Sequence, residues 1–520
     1  MRRHPLLVAI AALAVAAVLV AGAGIAIRTV SPVPAASPSA SAARRAADAE
    51  AAWPKPAPIA WHACSSPALG TAQCATVAVP LDWSRPKGST IRLAVSRVRH
   101  TATPYAGPML VNPGGPGVSG LRLATLGAQV PDGAGERYDW IGFDPRGVGA
   151  SRPRVSCIPG YANGPKPAYA PATPQTVDTW LQRAKGYAAA CAKNGPLLDH
   201  LTTEDSAKDL EYLRLALRAP TISYYGYSYG TYLGQVYATL FPSHVRRMVL
   251  DSNVDPRRVW YRANLDQDAA FQVTIEAWFR WVARADSTYH LGSTALQVEQ
   301  RYAAVASELR SRPAEGVLGP DELSDTILEA GYDATWWPEL AAALAEEVLD
   351  GDPGRLVHDW RSITEPTDDN GYAVYLAVDC TDAPWPSDWA TWQRDSTRLD
   401  VRASFETWPN TWFNAPCLFW PAKPHRPVTV DGRAAPPALL IDETLDAATP
   451  FGGSLEVRAL FPRARLLAEP GGTTHADSLS GNPCVDGAVA RYLGAGTLPP
   501  RQPGRAADVT CPPLPPPAPG

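Results

Sequence analysis

The sequence predicts an α/β fold, a mostly parallel sheet with helices on both faces, into which a helical cap is inserted. Three observations predict it. Short apolar runs bounded by glycine, proline and aspartate recur from Pro108 to Leu250 and again from Ala438 to Ala468, between turns and stretches of helical periodicity. The pentapeptide Gly226-Tyr227-Ser228-Tyr229-Gly230 lies between a β-branched and aromatic run and a periodic helical run. From about Asp255 to Ala435 the strand signal stops, while positions such as Leu296, Val298, Tyr302, Val305 and Leu309 keep a helical period.

The 520 residues and an apolar fraction of 46 % suit one large domain with an insertion. A net charge of -4, with no block of like charges in the body, excludes nucleic acid and an anionic membrane surface as expected partners. Arg2 and Arg3 precede an uncharged apolar run from Pro5 to Ile27. That layout makes residues 1–30 a signal peptide or, since about 20 apolar residues span a bilayer, an N-terminal membrane anchor. The expected product is secreted, or held outside a membrane by residues 5–27. Residues 31–52, mostly Ala, Ser and Pro with a few charges, read as a disordered linker.

Eight cysteines in an exported chain predict four disulfides. Proximity along the chain suggests Cys64 with Cys74, Cys157 with Cys191, Cys380 with Cys417 and Cys484 with Cys511. No CxxC pair is present, so no zinc or redox site is expected, and no metal or cofactor is called for.

The first part of the core, residues 53–255, opens with two alternating runs, Ala75 to Trp83 and Thr90 to Arg99. Arg85-Pro86-Lys87-Gly88 turns between them, which predicts an antiparallel hairpin at the sheet edge. Pro108 to Val111 is a short strand running into Asn112-Pro113-Gly114-Gly115-Pro116-Gly117, a loop where backbone must come close to something. In a hydrolase that something is a substrate oxyanion, which makes the Gly115 N–H a candidate donor. Tyr138 to Phe143 is the next strand; the glycines after it lack the further glycine and the acidic partner of a nucleotide loop. Asp144 and Arg146 are expected to pair and brace that loop. Helices follow near Pro174 to Lys193 and Thr203 to Leu217, the second opened by Thr202 as cap.

The pentapeptide itself fits Gly-x-Ser-x-Gly in strand-turn-helix context, the setting of a nucleophile elbow, so Ser228 is the candidate nucleophile and the Tyr229 N–H a second oxyanion donor. Gly230 and Gly234 share one face of the following helix and would let it sit close to the sheet. Val245 to Leu250 is the next strand. Residues 256–435 form the cap, rich in tryptophan; most of those rings are expected in its core, with a few walling a cleft.

In residues 436–520 the strands return. Ala438 to Ile441 leads to Asp442 and Asp446, and Arg465 to Ala468 leads to His475. The order Ser228, Asp446, His475 is that of an α/β-hydrolase triad. A serine hydroxyl needs a neutral imidazole to take its proton, and the imidazole needs a carboxylate to fix its tautomer and stabilise its cation. Asp446 suits the last role best, with Asp442 as competitor.

The NPGGPGVSG loop, FDPRGVGAS, GYSYGTYLGQVYA, LDAATP and the Cys484 segment ending in Arg491-Tyr492-Leu493 resemble secreted tripeptidyl aminopeptidases, which are related to proline iminopeptidases among the α/β-hydrolase serine peptidases. The resemblance covers about Trp61 to Cys511 and is weakest in the cap. It implies release of short peptides from free N-termini, with Ser228, Asp446 and His475 as triad and Gly115 and Tyr229 as oxyanion donors. Pro113 departs from the iminopeptidase loop, which has histidine there, and Thr474 from the glycine common before the histidine. Binding a charged amine calls for a cap carboxylate, and Asp379 and Asp382, flanking Cys380, are the candidates. Rival readings are an exported carboxylesterase of cell-envelope or lipid esters and, more remotely, a non-catalytic surface-binding protein using the tryptophan-rich cap.

Overall fold

A computed structural model describes residues 43–46, 49–161, 166–364 and 368–519. The expected signal or anchor segment, residues 1–30, and most of the expected linker lie outside those residues. Among the described residues no helix is long and apolar enough to cross a membrane.

Among the described residues ten strands form one sheet, in the order β1-β2-β3-β5-β4-β6-β7-β8-β9-β10. The chain enters through β1 (His62–Ala63), β2 (Gln73–Pro80) and β3 (Thr90–Val98), all antiparallel. β3 also lies antiparallel to β5 (Asp139–Phe143). From β5 onward every pairing is parallel, through β4 (Pro108–Asn112), β6 (Ile222–Tyr227), β7 (Val245–Asp251), β8 (Ala438–Glu443), β9 (Arg465–Glu469) and β10 (Val509–Thr510). The expected hairpin forms, but the two-residue β1 lies outside it and makes the edge.

Central strands β4, β6 and β8 are buried along their whole length, as a sheet covered on both faces requires. Alternate residues feed different layers. Leu110, Tyr224, Leu250 and Leu440 pack with the helices Thr203–Ala216 and Tyr229–Leu240. Met109, Val111, Tyr225, Val249 and Leu439 pack with the helix Pro483–Ala495. Thr202 caps Thr203–Ala216 by accepting the Asp205 N–H at 3.0 Å. Gly230 and Gly234 do permit close packing: a Cβ at either would fall 2.6 Å from Asn112 O or Tyr224 Cε1, respectively.

Between β7 and β8 the chain is helical. Tyr261–Arg284, Ala295–Ser311, Pro320–Tyr332, Trp337–Asp350 and Gly354–Thr364 share their own apolar core, with Trp278, Trp281, Trp337 and Trp360 inside it. Asn370–Asp382 instead packs into the main core through Ala373, Leu376 and Ala377. All four expected disulfides are present, Cys64–Cys74, Cys157–Cys191, Cys380–Cys417 and Cys484–Cys511. Such bonds persist in oxidising surroundings and point to an extracytoplasmic protein.

Two expectations need correction. The linker boundary at residue 52 is too late: residues 43–46 and 49–50 are helical, Ala46 is buried, and Glu50 pairs with Arg214 at 3.2 Å. Asp144 and Arg146 do not pair. Arg146, 1 % exposed, holds Asp209 through two bonds of 2.7 and 2.8 Å and also donates to the carbonyls of Leu81 and His200. Asp144 instead accepts the Ser119 hydroxyl and the N–H groups of Gly120 and Ala150, and so ties the loops after β4 and β5 together. Asp209→Ala strands a buried guanidinium and should cost about 3–5 kcal/mol, read as a lowered midpoint in urea unfolding.

Candidate active site

Ser228 joins β6 to the helix Tyr229–Leu240 with φ 55° and ψ -128°, a conformation that side-chain-bearing residues rarely adopt. Its N–H donates to Asp251 O at 3.0 Å, and its carbonyl accepts from the N–H and hydroxyl of Thr231. The loop after β4 lies against this turn. Gly114, at φ 99°, sits so close that a Cβ there would fall 2.7 Å from Ser228 Cβ and 2.8 Å from Tyr227 O. Gly115 and Tyr229 line the same cavity as Ser228, and Tyr229 is the first residue of its helix, where amides are free to donate outward.

His475 Nδ1 meets Asp446 Oδ2 at 2.8 Å and Oδ1 at 3.1 Å. The Asp446 carboxylate is buried and held by Thr449, whose N–H reaches Oδ1 at 2.9 Å and whose hydroxyl reaches Oδ2 at 3.0 Å. Asp442, the competitor, points elsewhere and accepts the Ser454 hydroxyl at 2.5 Å. Burial alone lowers the pKa of His475, but the charge and hydrogen bond of Asp446, with Asp251 behind, outweigh it and raise the pKa above its ordinary value.

The loop carrying His475 is fastened on several sides. Ser252 Oγ accepts the Ala476 N–H at 2.8 Å, Asp251 accepts the Ser478 N–H at 2.8 Å, and Tyr225 OH meets Ser478 Oγ at 2.7 Å. From the cap, Tyr332 O accepts the His475 N–H at 2.7 Å and Thr474 Oγ1 accepts the Ala334 N–H at 3.3 Å. Thr474, one of the departures from relatives, thus ties base loop to cap. Pro113, the other, lines the cavity.

That cavity, about 1060 Å³ in volume, lies between sheet and cap and is lined by Ser228 and His475 together. It lies just above the roughly 300–1,000 Å³ of small-ligand pockets. Its aromatic wall is Tyr169, Tyr229, Tyr332, Tyr375, Phe413 and Trp260. Of the cap tryptophans Trp260 reaches the cavity, whereas Trp408 and Trp412 are packed in the interior against Trp180.

The two candidate amine-binding acids separate. Asp379 is 1 % exposed, lines the cavity, and has an Oδ1 without a hydrogen-bond partner. Burial, with Asp382 nearby, holds its carboxyl well above the usual range. Asp382 is used structurally: it accepts the Thr203 N–H at 2.6 Å, the Thr203 hydroxyl, and Trp260 Nε1 at 3.3 Å. The expectation of a substrate contact at Asp382 is therefore corrected. Sequence reasoning also missed Glu406, a buried carboxyl on the cavity wall, and Thr449. Glu406 belongs to no motif; Thr449 stands within LDAATP and was open to notice.

Glu443, Glu469 and Asp477 are close enough to share a cation. Two already have protein partners, Glu443 accepting the Thr474 N–H and Glu469 the Asn482 amide. Burial pushes the three up to about 9, about 8 and about 7, respectively, so protonated acids suffice there.

Sheet, elbow and imidazole–carboxylate pair define the class, an α/β hydrolase of the serine type. The chain matches the alpha/beta hydrolase fold family over residues 107–473. Tripeptidyl aminopeptidase of Streptomyces lividans is 41 % identical over 483 residues, 90 % of this chain and 86 % of that protein. Serine protease Hip1 of Mycobacterium tuberculosis is 32 % identical over 476 residues, covering 85 % of this chain and 90 % of that one. A carboxylesterase B of the same species is 32 % identical over 474 residues, covering 85 % and 88 %. The chain therefore belongs to the α/β-hydrolase family and, within it, to the serine peptidases that include the Streptomyces tripeptidyl aminopeptidases.

Two measurements check the geometry. Followed by NMR, His475 should titrate above 6.5, staying protonated to higher pH than a free imidazole; Asp446→Asn removes the larger raising influence, leaves burial and Asp251, and should lower the titration from that of the wild type. Gly114→Ala pushes the elbow out of place and should lower kcat/KM on the order of a hundredfold.

Proposed function

We propose that this protein is an exported serine exopeptidase that releases tripeptides from free N-termini through an acyl-enzyme. The observation that carries the reading is the His475–Asp446 pair facing the same capped cavity as an elbow serine, with the unpartnered Oδ1 of the buried Asp379 carboxyl on the cavity wall. The tripeptidyl aminopeptidase name of the 41 % identical relative supports the product length. The apolar run behind Arg2 and Arg3, together with four disulfides, supports export.

In this mechanism His475 Nε2 takes the Ser228 hydroxyl proton as Oγ attacks the scissile carbonyl, and Asp446 stabilises the imidazolium without itself taking a proton. The carbonyl oxygen, now negative, moves between the N–H groups of Gly115 and Tyr229. Collapse breaks the C–N bond, and His475 returns the proton to the departing amine. Water, deprotonated by the same imidazole, then cleaves the Ser228 ester and frees the short peptide acid.

Asp379 sets the register. An unpartnered buried carboxyl is costly until a cation reaches it, so the substrate ammonium satisfies Oδ1 and favours the charged form. A blocked amine offers no such gain. An exported carboxylesterase is the second reading, favoured by the carboxylesterase B relative.

The test is hydrolysis of chromogenic mono-, di- and tripeptide amides with free amines, beside their N-acetyl forms and a short acyl ester. Free tripeptides should react fastest, acetylation should abolish turnover, and Ser228→Ala should lose on the order of a million-fold in kcat. Cleavage of the ester alone would establish the esterase.

A further inference from the structure

Among the described residues nine Asp, Glu, Lys and Arg side chains line the cavity, and six of them neutralise one another. Lys166 pairs with Asp325, Arg257 with Asp255 at 2.9 Å, and Arg258 with Asp266. Glu329, Asp379 and Glu406 remain, and among the described residues none of them forms an ion pair. Three acids on the wall therefore have no cation paired with them, and one α-amine can partner only one of them.

Glu406 is the informative one. It is 8 % exposed, lies just before the helix Thr407–Asn414, and its carboxyl accepts no hydrogen bond among the described residues. Burial, with Asp268 and Asp325 nearby, holds its pKa well above the usual range, while Lys166, already engaged by Asp325, pulls weakly the other way. A buried, unpartnered acid on a cavity wall is a site awaiting a cation. It is also not the same place as Asp379. The electrostatic neighbours of Asp379 are Asp382, Tyr375, Tyr229 and Tyr232, those of Glu406 are Asp268, Asp325, Lys166, Tyr169, Tyr302 and Tyr332, and the two sets share no residue.

We infer that Glu406 is a specificity residue for a second cation: the cavity selects peptides carrying a basic side chain, lysine or arginine, in the segment to be released, while the α-amine goes to Asp379. This rests on the peptidase reading above. A lysine or arginine side chain carries its charge several bonds beyond the peptide backbone, and inside the cavity that Ser228 and Glu406 both line, that charge gives Glu406 the partner that burial has denied it. A charge-assisted hydrogen bond of this kind is worth roughly tenfold to a hundredfold in kcat/KM.

The experiment uses free-amine tripeptide amides with lysine or norleucine, equal in stem and different in charge, at each of the three positions. Wild-type protein should prefer lysine by roughly tenfold to a hundredfold at one position. The ratio should fall toward one in Glu406→Gln and recover in part in Glu406→Asp. Equal turnover of lysine and norleucine by the wild type at all three positions overturns the inference without any variant. So does a lysine preference that persists in Glu406→Gln, and so does loss of both substrates together in that variant, which would make Glu406 the α-amine site. Failure of every free-amine peptide beside turnover of a short acyl ester overturns the peptidase reading, and the inference with it.

Discussion

The positive φ of Ser228 is the constraint on which the site depends. A left-handed serine at the end of β6 is strained by about 1–3 kcal/mol, and it persists because its surroundings allow no alternative. Its N–H is fixed by β7, its carbonyl by Thr231, and Gly114 and Gly230 leave room for loop and helix to close on it. The same closeness brings the backbone of the loop after β4 beside the serine. One local conformation thus lifts the hydroxyl above the sheet and sets an amide-rich loop next to it.

Asp251 links this turn to the loop that carries His475. Its carbonyl accepts the Ser228 N–H, and its carboxyl, buried and pushed up to about 6, accepts from Ser478 three residues beyond His475. The cap closes the arrangement from above through Tyr332 and Thr474. Elbow, His475 loop and cap are consequently fastened to one another by hydrogen bonds rather than merely adjacent.

The elbow, the triad order and the strand positions were legible because each is a short-range pattern: a pentapeptide between strand and helix, an acid after one strand, a histidine after the next. The four disulfides followed chain proximity, which rewards short loops. What could not be read is set by long-range packing. Asp379 and Asp382 lie three apart on one helix, and only the seating of that helix against Thr203 and Trp260 turns one into the core and leaves the other on the cavity. Arg146 finds Asp209 63 positions away rather than Asp144 beside it. Glu406 carries no motif at all; its meaning comes from a wall assembled from distant parts of the cap.

The most direct measurement is intact-mass and peptide mapping after treatment with a fluorophosphonate, which captures a serine only where a base and an oxyanion site activate it. The account predicts one adduct per chain, on Ser228, formed much more slowly in His475→Ala. An unlabelled protein, or an adduct on another serine, would contradict it.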